Sequence, residues 1–201
     1  WLPGAMAAPT PVSSYLHAAA MVKAGIFLIA RLAPGYSDLI AWQVLCVGLG
    51  GLTMILGGWR SLREFDLKLI LAFGTVSQLG FLMILVGVGD ANVALAGVAM
   101  LVAHALFKAS LFMVVGIIDH QTGTRDVRKL ARLGSAAPGL AIIAALASAS
   151  MAGLPITMGF VGKEAALASL LEYRGVGGWE GGVLTAVVVV GSVLTMAYTV
   201  R

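Results

Sequence analysis

Five basic side chains lie inside long apolar stretches of this 201-residue chain, and they are the residues best suited to chemistry. They are His17, Lys23, His104, Lys108 and Lys163. A lysine at the centre of a membrane helix costs about 2.5–3.5 kcal/mol on insertion scales, so three of them indicate a protein or water interior and a purpose other than stability. Snorkelling of each ammonium to the interface is the alternative. It is weakest for Lys23 and Lys108, which lie far from the ends of their stretches.

His104 and Lys108 are spaced for cooperation. On a helix, a separation of four residues places both on one face, about 6 Å apart along the axis. Histidine titrates near neutrality, and a desolvated lysine releases its proton more readily than one in water, so the pair could pass protons. The alternative for His104 is a buried imidazole that donates to a carbonyl group. For His17, beside Ser13 and Ser14, proton transfer and packing both stay open.

Hydroxyl and amide side chains in the same stretches could hold a chain of water, although each is also common in helix packing. Those that we select as support for a polar path are Ser77, Gln78 and Thr157. Glu164 is the one acidic candidate at depth, and it projects about 100° away from Lys163 around a helix because the two are adjacent. We therefore expect a cation-binding carboxylate to lie outside this sequence or on another subunit.

The composition excludes a soluble domain. Hydrophobic residues make up 60% of the chain and charged residues 11%, against about 25% charged residues in soluble domains. One cysteine and three scattered histidines exclude an internal disulfide, a thiolate cluster and a metal-ligand spacing, so we expect no metal and no cofactor. A net charge of +4 is too small to indicate nucleic acid as a partner.

The apolar residues predict six membrane spans when windows of about 20 residues are read as crossings. The predicted spans are 12–31, 39–59, 67–89, 93–118, 138–171 and 183–200. The connections are too short to hold another domain, and the expected fold is an all-α, polytopic transmembrane helix bundle in a lipid bilayer. Because the chain begins at Trp1 without an initiator Met, a charged leader or a cleavage site, we interpret it as an internal piece of a longer protein.

The fifth predicted span is too long for one crossing. Its 34 residues would extend about 51 Å as a straight helix, against a hydrocarbon core of about 30 Å. Gly153, Pro155 and Gly159 lie near its middle, and Pro155 cannot supply a helical amide. We predict a discontinuous helix, of the kind that lines binding cavities in transporters. A proline kink that serves packing is the alternative.

Lysine and arginine residues are distributed unequally between the two sides of the predicted bundle. One side carries Arg60, Arg63, Lys68, Arg125, Arg128, Lys129, Arg132 and Arg201, and the other Arg31 and Arg174. An excess of eight against two predicts that the first side, with both ends of the sequence, is cytoplasmic. Local ion pairs with Glu64, Asp66 and Asp126 would not explain the asymmetry.

Several motifs resemble the antiporter-like superfamily, and the resemblance covers essentially the whole chain. They are the proline-rich segment 1–13, HAAAMVKAG at 17–25, FDLK at 65–68, TVSQLG at 75–80, HALFKA at 104–109 and GFVGKE at 159–164. The superfamily includes Mrp-type multisubunit sodium/proton antiporters and the pumping subunits of respiratory complex I and membrane-bound hydrogenases. MVKAG at 21–25 and GIIDHQTGTRD at 116–126 resemble the MrpA component of the Mrp-type antiporters in particular.

This resemblance implies an inverted-repeat fold. The spans would be helices eight to thirteen of a fourteen-helix core within one transmembrane domain. Residues 1–33 would end the first repeat, and residues 38–201 would form its inverted copy. The fifth span would be the broken helix of that second repeat.

The resemblance also implies roles for the basic residues. His17 and Lys108 would belong to a central chain of protonatable groups, His104 would be a neighbouring relay, and Lys163 would be the terminal lysine of the broken helix. The chain departs from many complex I relatives at Met100, where these have another histidine one turn before His104. A relay through that point would need water or different partners.

The function implied is proton translocation by a membrane subunit of a cation/proton antiporter complex, with sodium as the expected cation. Its partners would be lipid, other subunits of the complex, protons and a monovalent cation. It would be a secondary transporter subunit rather than an enzyme, in a bacterial or archaeal cytoplasmic membrane. Two alternatives stay open: a proton-pumping subunit of a redox complex, and a non-conducting scaffold.

Overall fold

The computed structural model describes residues 2–18, 20–130, 133–174 and 180–200, and these residues are almost entirely helical. The main helices are α1 (Thr10–Ala18), α2 (Met21–Tyr36), α3 (Ile40–Arg63), α4 (Leu67–Gly87), α5 (Ala91–Thr122), α6 (Pro138–Ala152), α7 (Met158–Glu172) and α8 (Glu180–Val200). The segment that holds α1 and α2, and the helices α3, α4, α5 and α8, are each long and apolar enough to cross a membrane. The predicted all-α polytopic bundle is confirmed.

The fifth predicted span is discontinuous, as expected. Helix α6 ends at Ala152, Gly153 follows with φ +84°, and α7 begins only at Met158. Each half has 15 residues, so each extends about 22 Å and neither crosses a 30 Å core alone. The Thr157 side chain begins α7 by accepting a hydrogen bond from the Phe160 amide at 3.3 Å, which satisfies one of the amides that a helix start leaves free.

The first span contains an interruption that we did not predict. Helix α1 ends at Ala18 and α2 begins at Met21, because Ala20 has φ −104° and ψ −83°, outside the helical region. The Ala20 amide donates instead to the Tyr15 carbonyl at 3.2 Å. Two of the segments that cross the bundle are therefore interrupted, and both pack against α5.

Helix α4 is the central helix of the bundle and packs directly against α3, which has a wider π-helical turn at Val44–Gly48. Glycines allow the two backbones to touch. A Cβ at Gly57 would lie 2.7 Å from the Ser77 amide nitrogen, and one at Gly80 would lie 2.5 Å from the Gly50 carbonyl oxygen. The Ser77 hydroxyl donates to the Met54 carbonyl at 2.7 Å, so this predicted path residue lies in the α3–α4 interface.

Two loops meet at one end of the bundle and pair through their backbones. The Leu67 amide donates to the Arg125 carbonyl, and the Val127 amide donates to the Phe65 carbonyl, each at 3.0 Å. An ion pair at 3.0 Å joins Arg125 to Asp66. The loops that follow α3 and α5 therefore lie on the same side, as the predicted alternation of spans requires.

The charges in these loops also pair locally. Hydrogen bonds from Arg128 lower the pKa of the half-buried Asp126 carboxyl to about 2, so the carboxylate stays charged at any physiological pH. The guanidinium of Arg128 also lies 4.3 Å from the ring centroid of Phe65, a cation–π contact. Two basic residues in the predicted count, Arg132 and Arg201, lie outside the described residues.

Candidate functional site

Helix α5 carries two of the five predicted basic residues in its buried face. His104 and Lys108 are both completely buried, with exposed fractions of 0%, and their spacing places them one turn apart on the same side. The Lys108 ammonium donates to the Leu71 carbonyl of α4 at 3.0 Å. A lysine this deep cannot snorkel, because its side chain ends inside the bundle.

His17 in α1 approaches α5 from another side. Its ring stacks on Phe112, one turn beyond Lys108, with the ring centroids 5.5 Å apart. His17 is close enough to Lys108 for the two charges to interact. Among the described residues, neither imidazole nitrogen of His17 has a hydrogen-bond partner. A ring that only packed would leave both nitrogens without compensation, which is costly in a buried position.

Lys23 in α2 reaches the same helix from its other end. Its ammonium donates to the Leu101 carbonyl of α5 at 2.9 Å, and the side chain is 7% exposed. It interacts electrostatically with His104. The snorkelling alternative is therefore wrong for Lys23, whose charge points into the bundle.

Lys163 lies at the break between α6 and α7. Its ammonium donates to the carbonyls of Met151 at 3.0 Å and Ala152 at 2.9 Å, at the carboxyl end of α6. The last carbonyls of a helix lack intrahelical partners and carry the negative end of the helix dipole. The break thus creates the site that holds the Lys163 ammonium. Glycine at position 153 leaves room for the lysine side chain, because a Cβ there would lie 2.8 Å from the lysine Cδ.

Helix α7 contacts α5 next to this lysine. Gly162 permits the approach, since a Cβ there would lie 3.0 Å from the Met100 Cα atom. Met100 is itself fully buried and stands one turn before His104. An apolar side chain, Met100, therefore lies beside the residue that precedes Lys163 and one turn from His104. We refer to His17, Lys23, His104, Lys108 and Lys163 together as the row.

Several polar atoms along this row are buried without a partner. Among the described residues they are both nitrogens of His17 and of His104, Gln78 Oε1 and the Tyr198 hydroxyl. A buried polar atom left unsatisfied costs about 1–3 kcal/mol. In proteins such atoms are usually satisfied by internal water or by another side chain. The alternative in which His104 donates to a carbonyl is therefore not what the structure shows.

Besides Ser77, one of the residues predicted to support a polar path lies deep in the bundle, and the others lie at the helix break or at the surface. The Gln78 amide donates to the Thr195 hydroxyl of α8 at 3.1 Å, deep in the bundle. Thr157 begins α7 and donates to the Leu154 carbonyl at 2.6 Å within the break. Glu164 is exposed and makes no ion pair in the described part of the chain. In that same part, no three His, Cys, Asp or Glu side chains converge as metal ligands would.

Sequence reasoning missed the contribution of α8. Thr195 and Tyr198 are buried, with exposed fractions of 0% and 3%, and both point toward Gln78. Their spacing of three residues places them on one helical face, which was the available signal. They were overlooked because their span is otherwise apolar and carries no charge.

Gly159 makes a testable contact at the break. A methyl group at this position would collide with the Ser150 carbonyl, so Gly159→Ala is expected to destabilise the pairing of α6 with α7. Overpacking costs about 1–3 kcal/mol, which should appear as less assembled complex in membranes and a lower thermal unfolding midpoint. Gly139→Ala is the matched control, because a Cβ there meets nothing within 4 Å. Equal behaviour of the two variants would contradict the tight contact.

Fold and site together define a class: a polytopic membrane subunit with a discontinuous helix and a row of buried lysines and histidines. The chain belongs to the NADH:quinone oxidoreductase/Mrp antiporter transmembrane family, whose sequence pattern matches residues 1–195. This match confirms the family membership that the sequence motifs predicted.

Known proteins similar to this chain include components of antiporter complexes. It is 48% identical to the A-type subunit of the Na(+)/H(+) antiporter of Alkalihalophilus pseudofirmus. The 186 aligned residues cover 86% of this chain and 23% of that protein. It is also 50% identical to the A/B-type subunit of a probable K(+)/H(+) antiporter of Rhizobium meliloti. The 173 aligned residues cover 86% of this chain and 17% of that protein.

A solved structure shows the same arrangement of helices. The Mrp complex from Dietzia sp. DQ12-45-1b contains a chain that superposes with a TM-score of 0.94 at 50% identity, over 100% of this chain and 22% of that one. The chain spans only about a fifth of the length of these relatives.

Proposed function

We propose that this chain is part of a proton-translocating membrane subunit of a cation/proton antiporter complex, with sodium as the expected cation. Protons would move along His17, Lys23, His104, Lys108 and Lys163. The observation that carries the proposal is the choice of partners: the ammonium groups of Lys23, Lys108 and Lys163 each donate to backbone carbonyls inside the bundle. A carboxylate would hold a lysine charged, whereas a carbonyl accepts a hydrogen bond from the charged and the neutral amine alike.

The order of groups along α5 supports a continuous path. Lys23 bonds to the Leu101 carbonyl, and Gly162, the neighbour of Lys163, contacts Met100. His104 and Lys108 follow along α5, and His17 stacks on Phe112. Unpartnered imidazole nitrogens occur on both histidines, where water could enter the chain of hydrogen bonds. Water is most needed past Met100, which has no polar atom able to relay a proton.

The energy for cation export would come from inward proton movement. Moving one charge through the membrane potential is worth about 2.3 kcal/mol per 100 mV, and the pH gradient adds to it. No covalent step is required, so the proposed subunit is a secondary transporter rather than an enzyme. Residues 1–33 and 38–201 would be the end of one repeat and its inverted copy.

Exposed apolar side chains indicate what surrounds the bundle. Phe27, Ile40 and Val200 are each more than 70% exposed, which is expected where a helix faces lipid or another membrane protein. We therefore propose sister subunits of a hetero-oligomeric complex and the bilayer as partners.

Reconstitution of the complete complex tests this function. In vesicles that contain a pH-sensitive dye, addition of sodium should move protons in the opposite direction, and an impermeant organic cation should not. Potassium is the comparison that sets cation preference. Proton movement that occurred only with NADH or hydrogen as an electron donor would favour a redox-driven pump, which the family also includes. Unchanged flux after replacement of all five basic residues would favour a scaffold.

The orientation proposed from the basic residues gives a separate prediction. The paired loops would face the cytoplasm of a bacterial or archaeal cell. In a background without Cys46, Gln121→Cys at the exposed end of α5 should react with an impermeant thiol reagent from the cytoplasmic side only. Asp38→Cys, exposed at the opposite end, should react only from outside. The reverse pattern of labelling would contradict the proposed topology.

A further inference from the structure

We propose that Tyr198 of α8 is a further proton-transfer residue, which with Gln78 and Thr195 forms a side branch of the path that starts at Lys108. The proposal rests on the function proposed above. It adds a route through α4 and α8 to a path whose other residues lie on α1, α2, α5 and α7.

The first observation is a shared contact at Gly74. A Cβ at this position would lie 3.0 Å from the Lys108 ammonium nitrogen and 3.1 Å from the Tyr198 Cζ atom, which bears the hydroxyl. Both groups therefore border the same point on α4. Glycine at position 74 is what allows the ammonium and the phenol to approach each other.

The second observation is the polar character of the region beyond Gly74. The Tyr198 hydroxyl lies beside Gln78 and Thr195, and Gln78 is bonded to Thr195 at 3.1 Å. The hydroxyl and Gln78 Oε1 are both buried, and in the described part of the chain neither makes a hydrogen bond of good distance and angle, although the hydroxyl is within reach of Gln78 and Thr195. One of these atoms can donate and the other accepts, so they are suited to hold water between them.

Packing alone does not explain the hydroxyl. A phenylalanine would fill the same volume and would leave no buried polar atom unsatisfied. A phenol both donates and accepts, so it can receive a proton on one side and release another without becoming charged. That property is useful next to a lysine that exchanges its proton.

The position of the branch suggests where it leads. Leu71 and Gly74 lie in the first turns of α4, and Tyr198 lies in the last turn of α8. These turns are at the end of the bundle where the loops after α3 and α5 pair. Gln78 lies one turn further along α4 than Gly74, and Thr195 lies almost one turn before Tyr198 in α8. The branch therefore extends from Lys108 away from that surface, toward the middle of these two helices.

Tyr198→Phe tests the proposal in the complete complex reconstituted in vesicles. Loss of the hydroxyl should lower the maximal sodium-dependent proton flux by about tenfold or more, as expected when a proton-transfer group is removed. The sodium concentration for half-maximal flux should not change, because the branch carries protons and not the cation. The matched control is Tyr15→Phe, since the Tyr15 side chain is 66% exposed and should not affect flux.

Gly74→Ala provides a second test that keeps the hydroxyl. The added methyl should separate the ammonium from the phenol and lower flux, whereas Gly25→Ala, with nothing within 4 Å of its Cβ, should not. Thr195→Val, which removes the partner of Gln78, should act in the same direction as Tyr198→Phe.

The outcomes separate this proposal from the function on which it rests. Full flux in Tyr198→Phe together with loss in Lys108→Met would overturn the branch and leave the antiporter proposal standing. Full flux in both would overturn the antiporter path itself. A raised half-maximal sodium concentration with unchanged maximal flux would also overturn the branch, since it would place Tyr198 at a cation site. If Tyr198→Phe failed to assemble, normal flux in Gly74→Ala and Thr195→Val would overturn it.

Discussion

Replacement of Lys163 by alanine is expected to remove most cation-dependent proton flux from the complete complex while leaving its abundance near normal. Two effects on stability oppose each other. The variant loses hydrogen bonds to the Met151 and Ala152 carbonyls, worth about 1.5–3 kcal/mol for a charged donor. It also avoids the desolvation of an ammonium, which costs several kcal/mol. Lys129→Ala, in the exposed loop after α5, is the matched control and should retain full flux.

Arginine at position 163 distinguishes two roles for this side chain. Guanidinium keeps its proton at any working pH, so Lys163→Arg preserves the charge at the end of α6 but cannot release a proton. We expect this variant to fail as the alanine variant does. Full exchange in Lys163→Arg would mean that the residue supplies only a fixed charge. Full exchange in Lys163→Ala would show that the discontinuous helix does not lie on the transport path.

Lys108→Met is expected to have an effect of similar size. Methionine has nearly the same length, so it should fill the space of this completely buried side chain without an ionisable group. The Leu71 carbonyl would still accept the Thr75 hydroxyl, which donates to it at 2.8 Å. The backbone of α4 is therefore not left unsatisfied, and we expect a folded complex with little proton flux.

A control on the same helix makes this result specific. Leu106→Met changes a side chain of α5 that is 59% exposed, and it should leave both flux and assembly unchanged. Measurement of initial rates per assembled complex separates loss of transport from loss of protein. Normal flux in Lys108→Met would place the essential carrier elsewhere and would contradict the proposed row.

The interruptions of the helices show what a sequence can and cannot reveal. The break between α6 and α7 was predictable because that apolar segment exceeds the bilayer thickness and contains Pro155 between glycines. The break between α1 and α2 was not, since only alanines stand between His17 and Met21 and alanine favours helix. Tertiary packing overrides local preference there, and a single sequence contains no record of it.

The candidate site likewise contains features that the sequence could predict and features that it could not. Burial of Lys23, Lys108 and Lys163 follows from the energetic cost of charge in lipid, and the structure agrees. Their partners could not be predicted, because every residue has a backbone carbonyl and no side-chain pattern marks which one accepts. The pairing of Gln78 with Thr195 depends on how α4 meets α8, which is a property of the assembled bundle.

The close contact of α3 with α4 has a mechanical consequence. Where Gly57 meets Ser77 and Gly80 meets Gly50, the two backbones touch, so neither helix can slide or tilt without a collision. Close-packed interfaces respond to force by discrete shifts elsewhere rather than by gradual deformation. These two helices form a close-packed pair, whereas the helical hydrogen bonding is interrupted between α1 and α2 and between α6 and α7. We therefore expect any movement that accompanies the proposed transport to occur around α5, at the breaks between α1 and α2 and between α6 and α7, rather than between α3 and α4.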